Sequence, residues 1–391
     1  MRHLAGEPEP GARFDMQRAI TVGRRRRRNR RVTAVVTAVA AAVVAVTGIS
    51  TGLAALPRHP DRGLAARPSP ATVPDGCVAS LLPLAPGHSA RTEVTGADPS
   101  GRWTVGRTAV PNADINYLPL IWDGSTLQPT TEPPGFNAEL HDINGSGVAV
   151  GEAVGEAADA DRNPQPYAWV GHAWVRLRGV TAGRAMAVND AGVIVGYALD
   201  NDGQHPVLWR SATAEPVRLP MPAGFLTGQA VNVDDDGTVV GELVGADTIR
   251  PYTWSSLTAP GELAPLPKID GKPAYSFEVT DARGDWILGA VQPTGQDEDN
   301  DVRIPFRYRR SNHTFEQLGR DGQPIVYRGI NTAGWAVGAE PAGAFVRSQG
   351  KVVRLPSTGL GEYPPIPRTI SDDGHTIVGS LKSGPPVIWR C

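Results

Sequence analysis

The 391-residue chain has few of the residues on which catalytic and nucleic-acid chemistry is usually built. It contains 2 cysteines, too few for a Cys-rich structural zinc site, and its 8 histidines show no His-x-x-x-His pair and no Cys/His cluster. There is no Gly-x-Ser-x-Gly elbow, Walker loop or dinucleotide fingerprint, which removes the usual sequence grounds for a serine hydrolase, a nucleotidase or a dehydrogenase. Lysine is scarce, 4 residues among 38 basic ones. Residues 1–31 alone hold 10 Arg against 3 acids, leaving 28 basic and 37 acidic groups for the rest of the chain. A nucleic-acid-binding domain needs a basic stripe to displace counterions, so that acidic remainder argues against a nucleic-acid partner.

Long apolar runs are absent except for one. Residues 32–56 carry no charge over 25 positions, enough to cross a bilayer as a helix. Arg24 to Arg28, Arg30 and Arg31 stand immediately before it and predict a cytoplasmic N-terminus with the remainder outside. The expected organisation is therefore a basic cytoplasmic segment 1–31, a signal-anchor helix 32–56 in the plasma membrane, a linker 57–76 and an extracellular domain 77–391. Secretion after signal-peptide cleavage near Gly52-Leu53-Ala54 is the alternative. The linker carries Pro57, Pro60, Pro68, Pro70 and Pro74, a composition suited to an extended spacer.

The remainder repeats one phrase. Val188-Asn189-Asp190-Ala191-Gly192-Val193-Ile194-Val195-Gly196 has kin whose closing glycines fall at 106, 151, 196, 241, 289, 338 and 379. Spacings of 41 to 49 residues filled with short strands predict an all-β fold, a seven-bladed β-propeller of four-stranded blades. The Asp-x-Gly in each phrase reads as a tight turn between the first two strands. Pro-x-x-Trp recurs at 119–122, 166–169, 206–209, 251–254 and 386–389, with Pro305 to Tyr308 as a variant, and this regularity assigns the aromatics to packing between blades. Gly343 to Val346 lacks both residues. The seventh parcel ends at Cys391 without a fourth strand, while the array opens on an orphan strand at Cys77-Val78-Ala79-Ser80-Leu81. The N-terminal strand is expected to complete the last blade, and a Cys77–Cys391 disulfide to hold it there, worth about 2–5 kcal/mol by loop entropy.

Ile143-Asn144-x-x-Gly147, Val188-Asn189-Asp190-Ala191-Gly192 and Ile330-Asn331-x-x-Gly334, each followed by Val-Gly and a small-aromatic strand, resemble the bacterial extracellular HAF-repeat family over residues 90–391. His172-Ala173-Trp174 and Ala344-Phe345 echo the motif for which the family is named. The resemblance implies an extracellular repeat protein and brings no catalytic residues with it.

Loop-length variation concentrates on the face opposite the Asp-x-Gly turns. The candidate ligand-binding residues there are Asp297, Asp299 and Asp301 with Tyr275, Tyr327 and Tyr363, and His141 near the inner strands. An acidic rim with aromatics suits a cation-rich protein surface or a glycan. Asp297-Glu298-Asp299-Asn300-Asp301 and Asp200-Asn201-Asp202-Gly203 resemble the opening of a calcium loop, but neither has the Gly-x5-Glu completion. No cofactor, metal or catalytic residue is assigned. The expectation is a membrane-anchored extracellular module that binds protein or glycan. A polysaccharide hydrolase or lyase using carboxylates such as Glu93, Glu139 or Glu278 is the alternative, and a purely structural cell-surface domain the third.

Overall fold

The computed structural model describes residues 76–84, 91–110, 117–133, 135–154, 163–294, 303–320, 323–348, 350–357, 360, 365–381 and 384–391. The basic segment, the apolar run 32–56 and the linker up to residue 75 lie outside the described residues, as do Asp297, Asp299, Asp301 and Tyr363. Among the described residues no helix is long and apolar enough to cross a membrane.

Six parcels each fold into a four-stranded antiparallel sheet, and the seventh supplies three strands that Val78–Leu81 makes four, giving seven blades. Blade 3 shows the local logic. Gly183–Val188 turns at Asp190-Ala191-Gly192 into the β-branched strand Ile194–Asp200, which continues through Gly203–Trp209 to the short outer strand Pro216–Arg218. Gly192 takes φ +77°, the positive value a tight turn demands. Apolar side chains of neighbouring sheets then meet. The core comprises clusters between consecutive blades, such as Val195, Leu208, Val233, Val239 and Trp254 between blades 3 and 4.

The aromatic position works as expected. Trp122, Trp209, Trp254 and Trp389 are fully buried, and their indole N–H groups donate to the carbonyls of Pro83, Arg178, Pro220 and Pro356 at 2.7–2.9 Å. Each acceptor lies just after the outermost strand of the preceding blade. Blade 6 has Arg347 at this register, paired with Ala336, and so has no indole to donate.

The repeated Asn-Asp does more than make a turn. The carboxamide oxygens of Asn144, Asn189 and Asn331 accept N–H groups of their own turns, from Val148, Val193 and Trp335, at 2.9–3.0 Å. Their nitrogens donate to the carbonyls of Asn189, Asp234 and Ser371 in the next blade at 2.8–3.1 Å. In return Asp190, Asp235 and Asp372 accept backbone N–H groups of the preceding blade, from Gly145, Asp190 and Thr332, at 2.8–3.0 Å. The phrase is thus a belt of blade-to-blade latches along one face.

The last sheet has the strand order Val78–Leu81, Pro386–Arg390, Thr376–Ser380, Ile366–Ile370, with Ala79 opposite Trp389. Cys77 and Cys391 are joined in a disulfide across 314 residues of sequence. One element was not anticipated. A two-stranded hairpin, Lys268–Ile269 with Lys272–Pro273, sits between blades 4 and 5. Asp270 and Gly271 both take positive φ, 51° and 79°, as a two-residue hairpin of this type requires, and the insertion lengthens that parcel.

Candidate functional site

The closing glycine of each repeat leads to the site. Each faces the innermost strand of its own blade, where a Cβ would collide with a backbone carbonyl, that of Glu93 at Gly106, Glu139 at Gly151, Arg184 at Gly196 and Gln229 at Gly241. The same holds for Glu278 at Gly289, Val326 at Gly338 and Ile366 at Gly379. This close approach accompanies a β-bulge in every innermost strand, each skipping one residue of the ladder. An unpaired bulge residue is re-aimed away from the sheet. Those residues are Thr95, His141, Met186, Val231, Thr280, Arg328 and Arg368, one per blade, and all seven line a central channel cavity of about 170 Å³. The shared phrase therefore builds the ring, and an unshared residue about ten positions before each closing glycine furnishes its interior.

The ring is uneven in charge. Blades 6, 7, 1 and 2 contribute Arg328, Arg368, Thr95 and His141, whereas blades 3, 4 and 5 contribute Met186, Val231 and Thr280. On the loop side of His141 lies a network of alternating charge. Arg107 bridges Glu93 at 2.9 Å and Glu139 at 2.5 Å, His141 contacts Glu152, and Arg184 approaches Glu152 at 3.3 Å. Burial opposes the His141 cation, but Glu152 in contact and Glu139 nearby outweigh it and push the imidazole above its ordinary value. Burial likewise opposes the Glu152 anion, which His141 and then Arg184 nevertheless hold below the ordinary range.

Several buried carboxyls are instead pushed upward. Asp142, next to the bulge, is pushed up to about 7 by burial, against the hydrogen bond it accepts from Val188 N–H at 2.9 Å in blade 3. Its counterpart Asp281, pushed up to about 6 by burial, accepts from Ile330 N–H at 2.9 Å in blade 6. Glu242 is pushed up to about 7, first by burial and also by Glu278, while it accepts from Gln229 at 2.9 Å and Val279 N–H at 3.0 Å. At the turn-face mouth Arg283 of blade 5 meets Asp372 of blade 7 at 3.0 Å and Asp235 of blade 4 at 3.6 Å, so a guanidinium spans that opening. Among the described residues no group of three or more His, Cys, Asp or Glu is placed to hold a metal ion.

The structure separates the residues singled out from sequence. His141 lies in the channel ring, with 15 % of its side chain exposed. Tyr275 is half-buried in the connection between blades 4 and 5, its carbonyl accepting from Thr248 at 2.9 Å. Tyr327 needs correction as a rim aromatic. It is 6 % exposed, packs edge-on against Phe345 and donates its hydroxyl to the Leu318 carbonyl at 3.1 Å. It stands at the junction where blade 6 lacks the indole, and supplies from the inner strand the tie to blade 5 that a tryptophan makes elsewhere. Asp200 caps a two-residue turn by accepting Asp202 N–H at 3.0 Å and pairs with Arg218 at 2.5 Å, as a turn residue does. Of the three carboxylates proposed for chemistry, Glu93 and Glu139 share the Arg107 guanidinium, and Glu278 meets Arg303 at 2.5 Å in another part of the ring. Arg328, Arg368 and Met186 escaped the sequence reading. Aligning the parcels on their closing glycines would have found them.

No family model and no curated protein matches the sequence. Solved structures do match in fold. The β-propeller domain of the Trilobed protease from Pyrococcus furiosus, which has an open velcro topology, is 11 % identical, with 77 % of this chain and 95 % of that one covered and a TM-score of 0.52. The extracellular domain of a one-component system from B. thetaiotaomicron is 12 % identical over 80 % of this chain, with a TM-score of 0.49, and this chain spans 39 % of that one. YCF48, in a complex with D1 peptide, is 15 % identical over 82 % of this chain and 98 % of its own, with a TM-score of 0.45. At these identities the likeness concerns the fold alone.

Proposed function

We propose that this propeller is an extracellular binding module of the HAF-repeat kind, held at the membrane by segment 32–56 and engaging a protein or glycan through its channel and loop face. The observation that carries the reading is the ring of seven bulge residues, because it places a different side chain from every blade around one cavity while the repeated residues are consumed in latches. A cavity lined by the guanidinium groups of Arg328 and Arg368 suits recognition better than a spacer role. The strand Val78–Leu81 and the Cys77–Cys391 disulfide fit this use, since they act as the clasp that closes the ring, and a disulfide persists in the oxidising space outside the cytoplasm.

One observation favours chemistry instead. Glu242 holds its proton up to about 7, as a general acid would. Both of its oxygens are engaged by Gln229 and Val279, however, and Glu93 and Glu139 are joined through one guanidinium, so the binding reading has the better support. The test is a screen of the purified protein against peptide and glycan arrays, with any hit re-measured in Arg368→Gln. Saturable binding weakened by that change supports the module. Turnover of a polysaccharide without stable binding would move the protein among the enzymes, and protease protection of the repeats in intact cells would overturn the extracellular placement.

A further inference from the structure

Every other guanidinium near the channel has a carboxylate. Arg107 meets Glu93 and Glu139, Arg184 meets Glu152, and Arg283 meets Asp372. Arg328 and Arg368 do not follow this pattern. They occupy the bulge position of adjacent blades and face the same cavity, and neither has a carboxylate within ion-pair distance among the described residues. Arg368 donates through Nε to the Thr95 carbonyl at 3.1 Å, which fixes its plane and leaves its terminal nitrogens for another acceptor. Arg328 has no hydrogen-bond partner among the described residues and is exposed. Burial first, and then the Arg368 charge, act against the Arg328 cation, and Glu93, beyond ion-pair distance, offsets them only in part. The acids at the next level, Asp142 and Asp281, accept backbone N–H groups of blades 3 and 6, and although the Arg368 charge favours the Asp281 anion, the two form no ion pair among the described residues.

We propose that Arg328 and Arg368 form an oxyanion subsite that takes the carboxylate of a ligand carried on a small apolar body. A carboxylate offers two oxygens to two planar donors, the geometry in which guanidinium binds best. Across a seven-fold ring the position facing the junction of blades 6 and 7 belongs to blade 3, whose bulge residue is Met186, flanked by Val231 of blade 4 and by His141 of blade 2, whose imidazole is engaged by Glu152. That wall is apolar, and a cavity of about 170 Å³ admits a short substituent and excludes a large one. The chain-terminal residue of a peptide has these features, whereas a sugar acid would bring hydroxyls to a wall with little to bond them. The assignment rests on the binding-module reading and narrows it to one group.

Isothermal titration of the purified full-length chain with N-acetylvaline, N-acetylvaline methylamide and glucuronate tests it. N-acetylvaline should bind saturably, with the uncharged methylamide and glucuronate each at least tenfold weaker. Arg328→Gln and Arg368→Gln should each weaken N-acetylvaline by roughly 10- to 100-fold, the worth of a charged hydrogen bond. Arg328→Gln should leave the melting temperature unchanged or raised, because it removes a repulsion and no internal bond. Arg218→Gln, on the outer strand of blade 3, should leave affinity unchanged. Equal binding of the methylamide, tighter binding of glucuronate, absence of saturable N-acetylvaline binding, or indifference to both arginine substitutions would overturn the subsite. A peptide or glycan hit that survives Arg328→Gln and Arg368→Gln on the loop face would do so while leaving the module intact.

Discussion

Asn189 separates two accounts of the repeated phrase, a turn signal or a latch between blades. Its oxygen serves the turn by accepting Val193 N–H at 2.9 Å, and its nitrogen serves the next blade by donating to the Asp234 carbonyl at 3.0 Å. Asn189→Ala removes both bonds in a site only 3 % exposed and strands the Val193 N–H, while the Asp234 carbonyl keeps the Gly237 N–H at 2.9 Å, for a loss of about 1–3 kcal/mol. Asn189→Asp keeps the acceptor and deletes only the donor. The shape is tolerable, because blade 4 has Asp234 at the same register, where it accepts Gly284 N–H at 3.0 Å. If the residue made only a turn, Asn189→Asp would cost no more than the burial of its new charge. The latch requires a loss of about 1–3 kcal/mol, read as a lower urea midpoint at an unchanged m-value. An Asn189→Asp protein within about 0.5 kcal/mol of the parent would refute the latch.

Other outcomes follow from the same contacts. Cys77→Ser frees the strand Val78–Leu81 from its tether and should lower stability by about 2–5 kcal/mol, with dithiothreitol reproducing the effect on the parent protein and none on the variant. Gly196→Ala drives a methyl against the Arg184 carbonyl at the bulge and should cost about 1–3 kcal/mol, whereas Gly192→Ala, in open space but at positive φ, should cost about 1 kcal/mol from backbone strain alone. Comparing their urea midpoints checks the order. Asp142 has a folded value, about 7, raised above its ordinary 3.8, so its contribution is fully present below pH 3.8 and is lost as pH rises toward 7. Asp142→Asn should flatten the fall in unfolding free energy across that window. An unchanged slope would show that Asp142 does not hold its proton.

The fold was legible because its determinants are local and repeated. Turn glycines, Pro-x-x-Trp and the two cysteines at the array ends each recur or pair in ways that one parcel explains to the next. The site was less legible, and the residues show why. Tyr327 looked like a rim aromatic because its position at the end of a loop from a fourth to a first strand was visible and its bond to the Leu318 carbonyl across the interface was not. Arg328 and Arg368 looked like ordinary strand arginines, since alternation along a strand cannot reveal that a bulge has turned a residue into the channel. The Asn-Asp pair appeared to be spent on its turn, because its second set of bonds reaches one repeat further along the chain. Sequence shows periodicity readily. It shows poorly which member of a periodic set has been released from its ladder.

Methionine reports directly on the central claim that ligands enter the ring of bulge residues. The chain has 4 methionines, and of these Met186 lines the channel while Met221 packs against the core between blades 3 and 4. In a protein labelled with methyl-¹³C methionine, titration with N-acetylvaline should move the Met186 resonance saturably, leave Met221 in place, and lose the movement in Arg328→Gln. A Met186 resonance that stays fixed while the ligand binds, or moves no more than Met221, would contradict the account.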